Sequence, residues 1–212
     1  MLLLERWTEP LAESNCYLLG EAGRAVVIDP NDPRGPLERL EALGWTPERI
    51  LLTHEHCDHM AGLEALRNRW PGVRVAATAA CSAGLGDTRL NMTRRMEVYL
   101  AFRGKPGVSY PPFVCRPADE TYEHAWECVW RGHRLRAVAL PGHTPGSAGI
   151  FLDGDIFFSG DYLIPGEEVI LCLPGGSETD YRAVTEPVLR GLPPGLHICP
   201  GHGEPYILKG KE

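Results

Sequence analysis

A chain of 212 residues with 43% hydrophobic content is long enough for one sizeable core, and its 23% charged residues exclude wholesale disorder. Its net charge of −7, with no basic cluster denser than Arg94-Arg95, argues against a nucleic-acid partner. No stretch reaches the ~20 apolar residues of a membrane span, and the N-terminal MLLLERWTEP meets charge at Glu5 with no basic lead-in, so neither membrane insertion nor a signal peptide is expected.

In chain order, strands are expected over residues 2–7, 15–20 and 24–29, the last an apolar run closed by Asp29-Pro30. Residues 36–43 have helical spacing and stop at Gly44. A buried strand follows at 49–53, then a helix at 58–69 with Leu63, Leu66 and Trp70 on one side, then a strand at 73–78. Residues 84–122 break this rhythm. A helix is expected over 89–102, followed by the Pro/Gly-rich GKPGVSYPPF, an irregular insert that would roof a pocket. An exposed apolar face on that helix would favour a homodimer. Strands resume at 125–130, 134–140, 148–152 and 156–159, with DGD as a hairpin turn between the last two. A helix over 178–192, bent near Pro187, and a strand at 196–199 complete the chain. Strands outnumber helices, and helices separate groups of strands. One α/β domain over 1–212 is expected, two packed sheets with helices outside.

Strand 49–53 delivers the chain into THEHCDHMAG, where three histidines, an aspartate and a glutamate fall within six positions. So many imidazoles and carboxylates in one loop would repel one another or be desolvated without return, unless they share a cation. Imidazole and carboxylate suit zinc, iron or manganese, and His54, His56, Asp58 and His59 could serve two ions. Further ligands are available just after apolar strands: His143 in LPGHTPGS, Asp161 in FFSGD and His202 in CPGHGEP, each beside small residues that permit close approach. The other histidines, 124, 133 and 197, lack this context and read as ordinary surface or core residues. Cys57, inside the cluster, is expected to point away, and Cys199 to be a buried strand residue. The seven cysteines form an odd set with no C-x-x-C pair, which points to a reducing compartment, the cytoplasm.

At these residues the chain resembles the metallo-β-lactamase superfamily. Its H-x-H-x-D-H mark is His54-Glu55-His56-Cys57-Asp58-His59, and the GH–TPGS, SGD and GHG marks follow in order. The resemblance implies a four-layer αβ/βα sandwich with two divalent metal ions at one edge of two facing mixed sheets, most simply zinc, with iron or manganese as alternatives. One ion would take His54, His56 and His143, the other Asp58, His59 and His202, with Asp161 bridging. PGHTPGS, FFSGD and RLNMT are most similar to the glyoxalase II (hydroxyacylglutathione hydrolase) group. Ten residues follow His202, so the resemblance is to a short form without that group's C-terminal glutathione-binding extension. Aspartate at 161, where zinc β-lactamases commonly carry cysteine, disfavours antibiotic hydrolysis. Histidine at 56, where the flavodiiron branch carries glutamate, disfavours oxygen reduction.

The implied function is hydrolysis of a small thioester, ester or lactone by a hydroxide shared between the ions. Asp58 would act as catalytic residue, orienting that hydroxide and accepting its proton. Asp29, Thr53 and Ser159 are candidates to orient the imidazoles, with a turn role at the strand end equally open for Asp29. Tyr99, Tyr110, Tyr162 and Tyr181 are candidates for an oxyanion donor, against packing as their ordinary role. The main alternative is a persulfide dioxygenase with one iron on His54, His143 and Asp161. A nuclease is disfavoured by the acidic balance, and a non-catalytic binding module by the full ligand set.

Overall fold

Alternation along the strands builds the layers. In β2 (Asn15–Glu21), Cys16 and Leu18 face one way while Tyr17 and Leu19 face the other. In β3 (Arg24–Ile28), Ala25 and Val27 part from Val26 and Ile28 in the same manner. A strand apolar on both faces needs a partner layer on each side. The computed structural model, which describes residues 1–210, supplies both.

The first sheet has six strands in the order β1-β2-β3-β4-β5-β6, with β1 Leu3–Thr8, β4 Thr46–Leu51, β5 Arg74–Thr78 and β6 Glu120–Tyr122. The second runs β12-β11-β10-β9-β8-β7, with β7 Ala125–Trp130, β8 His133–Ala139, β9 Ala148–Leu152, β10 Ile156–Gly160, β11 His197–Pro200 and β12 Tyr206–Ile207. Both are mixed, since β3 to β6 pair in parallel, as do β10 and β11, while the remaining neighbours are antiparallel. Tyr17, Ile28 and Leu51 of the first sheet meet Ile150, Phe158 and Cys199 of the second in a central core. The outer face of the first sheet packs on α1 (Gly35–Leu43), α2 (Cys57–Met60), α3 (Leu63–Arg69), α4 (Ala79–Gly84) and α5 (Met96–Phe102). The outer face of the second packs Phe157 and Ile198 with Tyr181 and Leu189 of the final helical segment. The result is the expected four-layer αβ/βα sandwich.

Departures from the sequence reading have local causes. The helix expected over 58–69 is two helices, broken at Gly62, whose N–H donates to the Pro30 carbonyl at 2.7 Å. A Cβ there would collide with the Asp32 carbonyl. Gly62→Ala should therefore destabilise the fold by about 1–3 kcal/mol, as overpacking does, measured as a lower urea midpoint at unchanged slope. The helix expected over 89–102 starts at Met96, because Asn91 and Thr93 bond to each other and to the Phe113 carbonyl instead of continuing a helical ladder. Val98 and Phe102 of α5 are 58% and 87% exposed, so that helix does present apolar side chains to solvent. The segment 178–192 has turns at α6 (Glu178–Asp180) and α7 (Glu186–Arg190) with a π-helical turn, Tyr181–Thr185, between them. Pro187 has no N–H to give to the preceding turn, and the irregular turn lies there. Among the described residues no helix is long and apolar enough to cross a membrane.

Candidate metal centre

Four of the parallel strands, β3, β4, β10 and β11, deliver polar side chains to one edge. Asp29 follows β3, His54 to His59 follow β4, Asp161 follows β10 and His202 follows β11. His143 lies in the turn between β8 and β9. Two clusters form, their candidate ligand atoms within 4.8 Å of one another: His54, His56, His143 and Asp161, and then Asp58, His59 and His202. Asp161 faces both. Its Oδ2 is 3.2 Å from His143 Nε2 and 3.9 Å from His54 Nε2, while its Oδ1 is 3.1 Å from His59 Nε2 and 3.6 Å from His202 Nε2. Asp58 Oδ2 is 3.4 Å from His202 Nε2 and 3.8 Å from His59 Nε2. All seven residues expected from the sequence thus converge. His124, His133 and His197 stay outside both clusters, and His133 pairs with Asp153 at 2.6 Å.

The hydrogen bonds behind the imidazoles set their tautomers. Asp29 accepts from the Thr53 N–H at 2.7 Å, from the Thr53 hydroxyl at 2.5 Å and, at 3.0 Å, from His59 Nδ1. With its proton committed to Asp29, the Thr53 hydroxyl accepts from His54 Nδ1 at 3.0 Å. His143 Nδ1 donates to the Ile170 carbonyl at 2.7 Å. All three imidazoles therefore carry hydrogen on Nδ1 and turn the Nε2 lone pair inward. Asp29, His54 and His59 also lie close enough to form a ligand group, but the Asp29 carboxylate is already saturated from three sides, so it is a support. Its backbone takes a left-handed φ of 51°, which aspartate tolerates better than most residues. Asp29→Ala should weaken metal affinity about 10–100-fold, as loss of such supports does, measured by chelator competition.

The centre fits metal on its own chemistry. His54 Nε2, His56 Nε2, His59 Nε2 and Asp161 Oδ1 are buried without hydrogen-bond partners. His56 Nδ1 and His143 Nε2 face each other at 3.1 Å. Buried polar atoms in folded proteins are as a rule hydrogen-bonded, and inward-facing lone pairs around a carboxylate are resolved by a cation. Burial raises the Asp58 carboxyl, but the imidazoles of His59 and His202 outweigh that and hold it at about 2. Burial and the neighbouring His143 push the His56 imidazole down to about 3, so it stays a neutral donor.

Close approach explains the small residues beside the ligands. A Cβ on Gly201 would lie 2.6 Å from Asp161 Oδ1 and 2.8 Å from His59 Cε1. Glu55, not singled out from the sequence, is buried, accepts from the Thr144 hydroxyl at 2.9 Å, and so braces the turn that carries His143. Burial raises its carboxyl to about 7. The RLNMT segment also supports the centre, because the Asn91 carbonyl accepts from the Cys57 N–H at 2.9 Å, where α2 begins. Cys57 itself lies in the apolar core, away from both clusters, and Cys199 in the inter-sheet core.

Two sequence expectations need correction. Ser159 orients no imidazole; its hydroxyl donates to the Tyr162 carbonyl at 2.5 Å and steadies the loop bearing Asp161. Tyr162 is not a free donor either, because its hydroxyl donates to the Leu140 carbonyl at 2.7 Å and accepts from the His143 N–H at 2.9 Å. Tyr181 stacks on Tyr162 with ring centroids 6.0 Å apart. Tyr99 and Tyr110 remain near the centre. Burial and the charge of Asp58 raise Tyr99 to about 12, and Tyr110 lines a cavity with Asp58.

The model of the Metallo-beta-lactamase superfamily matches residues 10–202. The chain belongs to the metallo-beta-lactamase superfamily. Within it, the chain is 29% identical over 196 residues to the probable metallo-hydrolase YqgX of Bacillus subtilis, covering 90% of this chain and 85% of that protein. It is 30% identical over 206 residues to a hydroxyacylglutathione hydrolase of Cereibacter sphaeroides, covering 94% of this chain but 66% of that one. Among solved structures, BLEG-1 B3 metallo-beta-lactamase superposes with a TM-score of 0.83 at 25% identity, covering 97% of this chain and 94% of that one. TTHA1623 in a di-iron-bound form superposes with a TM-score of 0.69 at 28% identity, covering 96% and 94%. The family match and the ligand clusters together support a metal-dependent hydrolase of this superfamily.

Proposed function

We propose that this superfamily member is a binuclear hydrolase of small thioesters, esters or lactones. One observation carries the reading: the Asp161 carboxylate lies between two ligand clusters in which the Nε2 atoms of His54, His56 and His59 are buried without a hydrogen-bond partner. One ion would be held by His54, His56 and His143, the second by Asp58, His59 and His202, with Asp161 shared. Such a pair of ions supplies a water of lowered pKa and an electrophile for a carbonyl oxygen. The chain's own residues do the rest. Asp58, held ionised by His59 and His202, orients the attacking water and takes its proton. Thr53, Asp29 and the Ile170 carbonyl keep the imidazoles of His54, His59 and His143 in the Nδ1–H tautomer. Zinc suits the nitrogen-rich first cluster, and iron is the metal of the di-iron relative. The seven cysteines are all unpaired, which supports a reducing compartment such as the cytoplasm.

Elemental mass spectrometry on protein purified without a metal-binding tag tests this reading first. About two ions per chain, with turnover of thioesters, esters or lactones and little or none of β-lactams, is the expected result. The β-lactams belong in the substrate panel because BLEG-1 is so close in fold. About one iron per chain, with oxygen uptake on a persulfide, would replace the hydrolase with the dioxygenase reading.

A further inference from the structure

A cavity of about 450 Å³ opens beside Asp58, between the loop after β1, the loop after β3 and the insert that follows α5. Its walls are mostly apolar: Leu11, Met96, Tyr110 and Phe113 supply the large side chains, with prolines and Ala61 between them. Among the described residues that line it there is no lysine, arginine or histidine. Its carboxylates other than Asp58 already accept backbone N–H groups, and the Asn31 amide oxygen is buried without a hydrogen-bond partner, an acceptor that offers nothing to an anion. The Glu9 carboxylate accepts from the backbone N–H groups of Leu11, Ala12 and Glu13, and the Asp32 carboxylate from those of Arg34 and Gly35. The Asn31 amide donates to the Ser14 carbonyl at 2.7 Å and the Trp7 carbonyl at 3.3 Å. Lys105 reaches the Pro10–Leu11 edge, but its ammonium donates to both of those carbonyls and to Glu13. Asp58 is thus the one lining carboxylate that belongs to the metal clusters.

We infer that this cavity holds an uncharged apolar group attached to the scissile bond, and that the enzyme acts on neutral substrates with an alkyl or aryl arm, not on anionic glutathione conjugates. The inference rests on the hydrolase reading above and deepens it. An apolar arm gains from leaving water against these walls. A carrier with free carboxylates would meet Glu9 and Asp32 among the lining groups and find no lysine, arginine or histidine there to pair with, a desolvation cost with no return. The arm belongs to either the acyl or the thiol side of the bond, since both flank the reacting carbon.

The test is a matched set of thioesters: straight-chain acyl groups of increasing length on N-acetylcysteamine, acetyl on straight-chain thiols, and the same acyl groups on glutathione. On the side that enters the cavity, kcat/KM should rise about fourfold per methylene until the cavity is full, and the glutathione esters should be no better than the neutral ones. Phe113→Ser should flatten that slope. Leu11→Lys should shift preference toward the glutathione esters by up to about fivefold, the worth of an exposed ion pair. Both residues are only half-buried, so neither variant depends on repacking the core. Rates independent of chain length, a slope untouched by Phe113→Ser, or a preference of the wild-type enzyme for glutathione esters would each overturn the assignment. Calorimetric binding of straight-chain amides separates this from failure of the hydrolase reading. If no ester is turned over but amide affinity still climbs about fourfold per methylene, the cavity assignment stands and the hydrolase reading falls; amide affinity without such a slope overturns the cavity.

Discussion

Asp161→Ala should lose bound metal and hydrolysis together, with activity down about 10³-fold or more, beyond what loss of a single electrostatic contact costs. Asp161 is 14% exposed and faces four imidazoles, two through each oxygen. Without it, the two clusters lose the one anion they share. What remains on the first side is three imidazoles, with His56 and His143 already 3.1 Å apart. Each side then keeps three ligands, Asp58, His59 and His202 on the second, so each can still hold an ion weakly while the pair loses the group that joins it. Elemental analysis of the variant, beside its melting temperature without metal, separates a site effect from a folding effect. A variant that retained both ions would remove the bridging role from Asp161.

Asp58→Asn should behave differently. The amide keeps an oxygen near His202 but has no basic site, so metal content should stay near that of the wild type. Turnover should fall about 10²–10⁴-fold, the usual weight of a positioned acid–base group, while KM changes little. Because Asp58 is also a candidate ligand beside His59 and His202, Asp58→Ala should lose both a metal and turnover, and the contrast between the two variants isolates proton acceptance from ligation. Wild-type turnover in Asp58→Asn would dismiss Asp58 as the proton acceptor.

The convergence of the seven candidate ligands was legible because four of them sit within six residues and the other three each follow an apolar strand. Contiguity of that kind survives translation into sequence. The supports were less legible. Asp29 looks like any strand-closing turn residue, and its role depends on β3 and β4 lying side by side in parallel. Glu55 is hidden inside the motif, and its partner Thr144 is 89 residues away. Short elements also leave little trace. The helix α4 is AACSAG, whose small residues carry no periodic signal, and β6 and β12 have three and two residues. Their pairing comes from the neighbouring strand, not from their own side chains. The Asp58 cavity is only hinted at by the insert, since its walls come from three loops far apart in the chain.

The loop that carries His202 leans on the other end of the polypeptide. The Asn15 N–H donates to the Gly201 carbonyl at 2.7 Å, the Tyr17 hydroxyl to the Pro200 carbonyl at 2.8 Å, and Arg6 to the Gly203 carbonyl at 3.0 Å. Synthesis makes residues 6–17 first and this loop roughly 190 residues later, about 10–40 s at ordinary elongation rates. A nascent chain already holding His54 to His59 therefore has to wait for its partner segment before the centre can close. Half-built centres of this kind offer ligands to any passing cation during the roughly 140 residues of synthesis between His59 and His202, about 7–30 s. Which metal the mature protein carries is thus open to kinetic influence from the speed of translation and the ions present while it proceeds.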